Sequence, residues 1–196
     1  MLQHYYKLFK PYGMLSQFTP ESGHPALGSL YPFPKDVYPL GRLDHDSEGL
    51  LLLTSDKAVN ALLLGPDGKH QRTYWAQVEG IPGEEAFLQL RKGVLINLKG
   101  IVHKTFPAIV KTMVAPKIAE RDPPVNYKKH PVISWIEITL KEGKNRQVRK
   151  MLAKAGHPVL RLIRSAVDEV TIEGMQAGEV VELERKEFYT RLNLPW

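Results

Sequence analysis

The sequence of 196 residues contains no cysteine. Without a thiol, the chain forms no disulfide and offers no thiolate nucleophile, iron–sulfur cluster or cysteine-based zinc site. No segment approaches the roughly 20 apolar residues that span a bilayer, and the opening residues MLQHYYKLFKPYG lack the apolar stretch of a secretory signal. We therefore predict a cytoplasmic protein without a membrane partner.

The charge balance is moderately basic. Lysine and arginine number 27 against 21 aspartate and glutamate residues, which gives a net charge of +6. A basic excess favours an anionic partner, of which nucleic acid is the commonest, although it also fits simple solubility. No glycine-rich nucleotide-binding loop is present, so we expect no nucleotide cofactor.

The hydrophobic pattern alternates irregularly between strand and helix signals. It predicts strands at 5–10, 50–53, 72–80, 132–140 and 159–163, several short strands within 94–114, and helices at 56–64, 83–93 and 146–155. The proline-rich segment 115–131 is predicted as an exposed loop that is mobile or binds a partner. The pattern favours an α+β fold with a mixed, mainly antiparallel sheet, flanking helices and two lobes around a basic cleft. Residues 1–196 are expected to form one catalytic domain.

The helix at 56–64 follows a buried run of leucines. Ser55 is a plausible N-cap, and Val59, Leu62 and Leu63 are predicted to form the buried face. Gly65 and Pro66 should end the helix.

Segment 141–164 is the most basic part of the sequence. It contains a single acid, Glu142. Its cations are Lys141, Lys144, Arg146, Arg149, Lys150, Lys154, Arg161 and Arg164. Asn145 is predicted to cap the helix and Gly156 to end it. At about 100° per residue, Arg146, Lys150 and Lys154 point outward, where they form either a solvated face or a set of phosphate contacts. Arg149 falls at the border of the apolar face and needs a partner, for which a carboxylate is suited.

The stretch GRLDHDSEG, residues 41–49, is acidic and runs straight into four leucines. Its acids Asp44, Asp46 and Glu48, together with His45, allow several interpretations. They fit a metal site, a pair of acids in a hydrolase, or solvent-facing turn residues. They also fit a lone carboxylate nucleophile, which an arginine such as Arg149 would keep ionised.

Four motifs in order resemble the pseudouridine synthases, in the family that acts on ribosomal RNA and has the small-subunit enzyme as its prototype. GRLDHDSEGLLLLT is similar to the central motif of that family, and LFKPYGMLSQF to its opening Lys-Pro-x-Gly strand and turn. RTYWAQVEG is similar to the Lys-x-Tyr strand, and EGKNRQVRKM with GHPVLRLIR to the closing motifs.

The resemblance implies a role for individual residues. Asp44 would be the nucleophile, Tyr74 would pack on the target base and could assist proton transfer, and Arg149 would be the partner of Asp44. The residues expected to bind RNA are Lys10, Arg42, Arg72, Asn145, Arg146, Lys150, Lys154, Arg161 and Arg164. One departure is that Arg72 replaces the usual lysine, which changes the geometry of its contacts. As a second departure, we expect no accessory RNA-binding domain before the catalytic strand.

The implied reaction is the isomerisation of one uridine in ribosomal RNA, with the large-subunit RNA favoured, by a monomer that uses neither cofactor nor metal. Asp44 could attack the sugar, add to the base or remove a sugar proton, and the sequence does not separate these routes. The target base would have to flip out of the RNA. Two rival readings are a non-catalytic RNA-binding or ribosome-assembly protein and a metal-dependent hydrolase.

Overall fold

The computed structural model describes residues 2–65 and 70–196. The chain divides into two compact units, one formed by residues 1–70 and 164–196 and the other by residues 71–163. Helices accompany strands that pair mainly antiparallel. The predicted α+β class with a mainly antiparallel sheet is therefore confirmed.

Strands and helices alternate irregularly along the chain. In order from the N-terminus, they are β1 Tyr5–Lys10, a 3-10 helix at Leu27–Ser29, β2 Tyr38–Pro39, β3 Glu48–Thr54, α1 Lys57–Leu64, β4 Arg72–Glu79, α2 Glu84–Lys92, β5 Leu95–Leu98, β6 Ile101–Lys104, β7 Ile109–Met113, β8 Ile133–Leu140, α3 Gln147–Lys154, β9 Val159–Val167, β10 Val170–Thr171, β11 Val180–Glu182 and α4 Arg185–Arg191. β9 crosses the boundary between the two units.

In the first unit, β1 lies between β3 and β11 and pairs antiparallel with both. All seven residues of β3 are buried, as expected for a strand that is covered on both faces and therefore reads as a continuous apolar run. Tyr6 packs edge-on against Phe33 at 5.3 Å between ring centroids, while Tyr5 packs against Phe188 of α4 at 5.0 Å. The predicted buried strand at 50–53 is confirmed.

Helix α1 corrects two predictions. Asp56, not Ser55, is the N-cap, because its carboxylate accepts a hydrogen bond from the Ala58 N–H at 3.1 Å. Val59 and Leu63, one helical turn apart, are buried, whereas Leu62 is 37% exposed and lies beside the apolar stripe. Gly65 ends the helix as predicted, and Pro66 lies outside the described residues.

Asp56 also joins the helix to the C-terminal part of the first unit. The Tyr5 and Tyr189 hydroxyls donate to its carboxylate at 2.7 and 2.6 Å. Burial alone would raise the pKa of Asp56, but these hydroxyls, the Ala58 N–H and the nearby charge of Arg185 together lower it. Tyr189 belongs to α4, which the sequence pattern did not predict.

The second unit is built on β4, β8 and β7, in which β8 pairs antiparallel with both neighbours. The core of this unit contains inward-facing residues of these strands and apolar residues of α2 and α3. They are Ala76, Val78, Phe87, Leu90, Ile136, Ile138, Val148, Met151 and Leu152. The short strands β5 and β6 form a separate antiparallel hairpin. Segment 115–131 contains no helix or strand and is mostly exposed, as predicted.

Helix α3 begins differently from the prediction. Its N-cap is Arg146, in a left-handed conformation with φ of 50° and without a side-chain cap, and not Asn145. Instead, the Gln147 side chain accepts a hydrogen bond from the Lys144 N–H at 2.9 Å, so this backbone donor just before the helix has a partner. Gly156 follows the last turn with φ of 88°, which confirms the predicted exit. Among the described residues, no helix has the length and apolar character needed to cross a membrane.

Candidate active site

The acidic loop of the first unit is bounded by two glycines in left-handed conformations. Gly41 has φ of 76° and Gly49 has φ of 101°, values that glycine adopts readily and other residues rarely do. A Cβ at Gly49 would lie 2.7 Å from the backbone nitrogen of Arg164. Position 49 therefore needs glycine both for its φ and for the close approach of the two backbones.

Two hydrogen-bonded anchors hold the backbone on either side of Asp44. The Ser16 hydroxyl donates to the Leu43 carbonyl at 2.8 Å and accepts from the Leu43 N–H at 3.0 Å. The Gly13 N–H donates to the His45 carbonyl at 2.8 Å. Because residues 43 and 45 are both fixed, the position of Asp44 between them is well determined, and its side chain is half-buried.

Lys10 lies near the acids of this loop. Its side chain is fully buried and its Nζ donates to the carbonyls of Met14 at 2.7 Å and Pro11 at 3.0 Å. Burial lowers the pKa of Lys10 to about 8, although the nearby carboxylates of Glu48, Asp46 and Asp44 act in the opposite direction. The prediction that Lys10 contacts RNA phosphates does not fit this burial.

Lys10 also connects two parts of the site. Its bonds to the Pro11 and Met14 carbonyls close the turn that contains Gly13, and Gly13 in turn binds the loop at His45. The lysine thus both shapes the anchor and supplies positive charge to the acids around it. The turn at Gly13 and the buried Lys10 together hold the acidic loop in place directly before the buried strand β3.

Arg161 and Arg164, which were predicted to bind RNA, are also buried. Arg164 is buried and its Nε donates to the Leu50 carbonyl at 2.7 Å. Arg161, in the second unit, is buried and its guanidinium donates to the Ala119 carbonyl at 2.9 Å. Most residues of β9 are buried, and both arginine side chains bind backbone carbonyls. Their burial does not fit the predicted contacts with RNA.

Tyr74 and Arg72 lie on β4 of the second unit. Tyr74 pairs with Ile138 in the register of β4 and β8, packs against the core and stays half-buried. A ring held on one side by the core and open on the other is suited to contact a base. Arg72, at the start of the strand, is also half-buried.

Arg149 is half-buried at the border of the apolar face of α3, as the helical wheel predicted. Its guanidinium donates to the Val159 carbonyl at 3.3 Å, which links the helix to the start of β9. Of the three residues predicted to be catalytic, Asp44 belongs to the first unit, whereas Tyr74 and Arg149 belong to the second.

The other residues predicted to bind RNA are accessible. Arg42 in the first unit is exposed, as are Asn145, Arg146 and Lys154 in the second, and Lys150 is half-buried. The strained left-handed backbone of Arg146 orients the start of α3, and such conformations concentrate at functional sites. Within residues 2–65 and 70–196, no three histidine, aspartate or glutamate side chains converge in a group that could hold a metal ion.

Sequence reasoning missed Ser16, Gly13 and the structural role of Lys10. One signal for Lys10 was available, because it shares a face of β1 with the apolar residues Tyr6 and Leu8, and a lysine that continues such a face is a candidate for burial. The bonds of Ser16 to Leu43 span 27 positions, and a local pattern carries no trace of them.

Comparison with known proteins places these features in context. A model of the RNA pseudouridylate synthases matches residues 4–154. The chain is 46% identical over 175 residues to ribosomal large subunit pseudouridine synthase E of Vibrio parahaemolyticus, covering 89% of this chain and 71% of that protein. It is 46% identical over 171 residues to the protein of the same name from Xanthomonas axonopodis pv. citri, covering 86% and 87%.

Two further comparisons extend this result. The chain is 35% identical over 180 residues to ribosomal large subunit pseudouridine synthase B of Bacillus subtilis, covering 91% of this chain and 67% of that protein. A crystal structure of a pseudouridylate synthase has a similar fold, with a TM-score of 0.77 and 24% identity over 97% of this chain and 74% of that one. At that identity the structural likeness concerns the fold alone.

Proposed function

Because the chain belongs to the RNA pseudouridylate synthase family, we propose that it converts one specific uridine of ribosomal RNA into pseudouridine, with large-subunit RNA as the substrate. The observation that carries the proposal is the 46% identity, over 89% of the chain, to a protein named for this activity on the large subunit. The anchored loop around Asp44 provides the chemical group that the reaction requires.

The reaction exchanges one bond to the ribose for another. The bond between C1′ and N1 breaks, the uracil turns while it is held, and a bond forms between C1′ and C5. The hydrogen on C5 leaves as a proton and N1 gains one, so atoms and electrons balance without an oxidant, a reductant or a second substrate.

We assign the central role to Asp44. A carboxylate that acts on a ribose or a base must be ionised and fixed in position. The hydrogen bonds at Leu43 and His45 fix its backbone, and the buried Lys10 supplies a positive charge near the carboxylate. Attack on the sugar, addition to the base and removal of a sugar proton all use the same group, and all three are open to it.

Tyr74 and Arg149 complete the proposed catalytic set. The half-buried Tyr74 ring offers a surface for the flipped uracil, and base stacking of this kind contributes about 1–3 kcal/mol. That gain offsets a large part of the few kcal/mol needed to extrude the base. Arg149 is proposed as the functional partner of Asp44, since a half-buried guanidinium favours the ionised carboxylate.

The exposed cations are proposed to hold the RNA backbone. Arg42 in the first unit and Arg146, Lys150 and Lys154 in the second are accessible to phosphates. Each phosphate contact releases counterions, so affinity should fall steeply as salt rises. Arg72 and Asn145 are proposed to contribute further polar contacts.

A turnover assay tests the proposed function. Purified protein is incubated with transcripts of large- and small-subunit rRNA that carry tritium at C5 of uridine, and released tritium is counted. We expect release from one site of the large-subunit RNA, at the same rate with and without a chelator. RNA binding without tritium release would favour the non-catalytic rival, and loss of activity on chelation would favour a metal-dependent reaction.

A further inference from the structure

The geometry of the second unit points to an additional binding site for a single-stranded segment of RNA, in a groove between the β5–β6 hairpin and helix α3. The inference rests on the proposed function, because it takes RNA as the substrate. It adds the hairpin residues to Lys150 and Lys154, which are already proposed to hold phosphates, and assigns them together to substrate recognition.

The groove has a volume of about 620 Å³. Its lining residues are Leu95, Ile96, Asn97, Val102, Lys150, Ala153 and Lys154. Pockets of about 300–1,000 Å³ accept ligands of drug size, and a nucleotide falls in that class. The groove is open, so a nucleotide could enter as part of a continuous chain.

The hairpin presents an unusual outer face. Its register places Leu95 opposite Lys104 and Asn97 opposite Val102, so these four side chains share one face. On the other face, Ile96 is buried, and Leu98 packs against the core. The inner face thus fixes the hairpin to the unit, while Leu95 and Val102 stay 56% and 67% exposed.

The charged side chains on the groove lining and on the outer face of the hairpin are positive. Lys150 and Lys154 line one wall of the groove, Lys104 shares the outer face of the hairpin, and Lys99 is exposed at its turn. The described residues that line the groove include no acid. An apolar floor under several ammonium groups matches a nucleotide, whose ribose and base have apolar faces and whose phosphate is anionic.

The combination favours single-stranded RNA over a duplex. Bases of a duplex are stacked away from such a floor, whereas unpaired bases can be splayed out and contacted. Asn97 adds an amide at the same surface: its oxygen accepts from the Gly100 N–H at 2.7 Å, and its NH₂ group can donate to a base or a ribose. Such a site would bind unpaired rRNA and contribute to the choice of substrate.

The salt dependence of binding tests the electrostatic part of the inference. Each phosphate contact on a single strand adds about 0.7 to the slope of log affinity against log salt. Replacing both groove lysines in Lys150→Gln/Lys154→Gln should lower the slope for an rRNA transcript by about 1.4. Lys186→Gln, an exposed helical lysine in the other unit, is the matched control and should leave it unchanged. An unchanged slope in the double variant would overturn the inference.

Substitution of the floor tests the groove itself. Val102→Glu should weaken RNA binding at least about fivefold, since it adds a charge that repels phosphate, whereas Val102→Lys should not weaken it. Ile109→Glu, at a strand residue of similar exposure (62%) outside the groove, is the control. A purely structural role would affect both Val102 variants alike, and thermal unfolding verifies that they fold.

These measurements separate the groove from the catalytic proposal. Binding is recorded by fluorescence anisotropy and turnover by tritium release. A Val102→Glu variant that binds RNA as the wild type does overturns the groove while turnover stands. The RNA groove is also overturned if Val102→Glu binds naked RNA normally and loses binding only to a ribosomal particle that contains protein. In that case the groove would bind a protein. Failure of the wild type to release tritium overturns the proposed function. The RNA-binding measurements on the variants still test the groove in that case.

Discussion

Lys10 in the first unit and Lys154 in the second carry the same group in opposite surroundings. Lys10 is fully buried, holds two backbone carbonyls and lies near three carboxylates. Lys154 is exposed at the end of α3 and lines an open groove. The first unit thus places a buried positive charge near the proposed catalytic acid, whereas the second exposes positive charge at the proposed RNA groove. Burial, and not residue type, decides the role of a basic residue here.

The largest expected effect distinguishes Asp44 from its neighbour in the loop. Asp44→Asn should lower kcat at least about a thousandfold, because the amide cannot act as a nucleophile or base, while RNA affinity stays close to that of the wild type. Asp46→Asn is the matched control and should keep kcat within about threefold, an expectation for a residue without a chemical step. Single-turnover tritium release with a filter-binding assay measures both quantities.

The contrast between buried and exposed lysine predicts a difference in stability. Lys10→Met should lower the free energy of unfolding by about 3 kcal/mol, because it leaves carbonyls and a buried acid without their cation. Lys154→Met should change it by less than about 0.5 kcal/mol, as is usual on a surface. Urea denaturation at pH 7 provides the comparison, and equal losses would remove the distinction drawn between the two units.

Within helix α3, border and outer positions should also differ. Arg149→Ala should lower kcat about a hundredfold to a thousandfold, the range seen when one preorganised electrostatic donor is removed. Lys154→Ala should mainly raise KM, because it removes a phosphate contact. Steady-state kinetics of the two variants decide the matter. Similar losses in kcat would mean that Arg149 has no special relation to Asp44.

Combining Asp44→Asn with Arg149→Ala sharpens this prediction. If the two residues act together, the double variant should lose no more activity than Asp44→Asn does alone. Independent roles would give losses that multiply.

The smallest expected effect concerns the pH dependence of stability. The folded pKa of Asp56 lies below its ordinary value of 3.8, so its ionised form stabilises the fold at pH values above about 4. That contribution is lost as pH falls through the folded pKa. The wild type should therefore lose more unfolding free energy from pH 6 to pH 3 than Asp56→Asn does, whereas at pH 6 the variant should be about 1 kcal/mol less stable.

Denaturation curves recorded at several pH values test this. Parallel pH profiles for the wild type and Asp56→Asn would show that the hydroxyls of Tyr5 and Tyr189 do not favour the charged carboxylate.

The sequence predicted local structure well where a short segment determines its own environment. The leucines of β3, the helix that Gly93 ends and the exit at Gly156 all follow from hydrophobic periodicity and glycine conformation. The same is true of Arg149, whose position on the wheel already implied partial burial.

Predictions that depended on distant contacts succeeded less often. The N-cap of α1 is Asp56 and not the predicted Ser55. The Asp56 carboxylate also accepts a hydrogen bond from Tyr189, which lies 133 positions away in the sequence. Lys10 and Arg164 were predicted to bind RNA, but the fold buries both side chains. The sequence gives the number of charged residues, but local patterns do not show which of them the fold will bury.

We propose that this chain modifies one uridine of ribosomal RNA and that Asp44 is required. A pseudouridine map of rRNA from cells that lack the chain tests this proposal most directly, with complementation by the wild type or by Asp44→Asn. We expect one pseudouridine of the large-subunit RNA to be missing in the deletion strain, the wild type to restore it and Asp44→Asn not to restore it. A complete map in the deletion strain, or restoration by Asp44→Asn, would show that the modification does not depend on this chain and its Asp44.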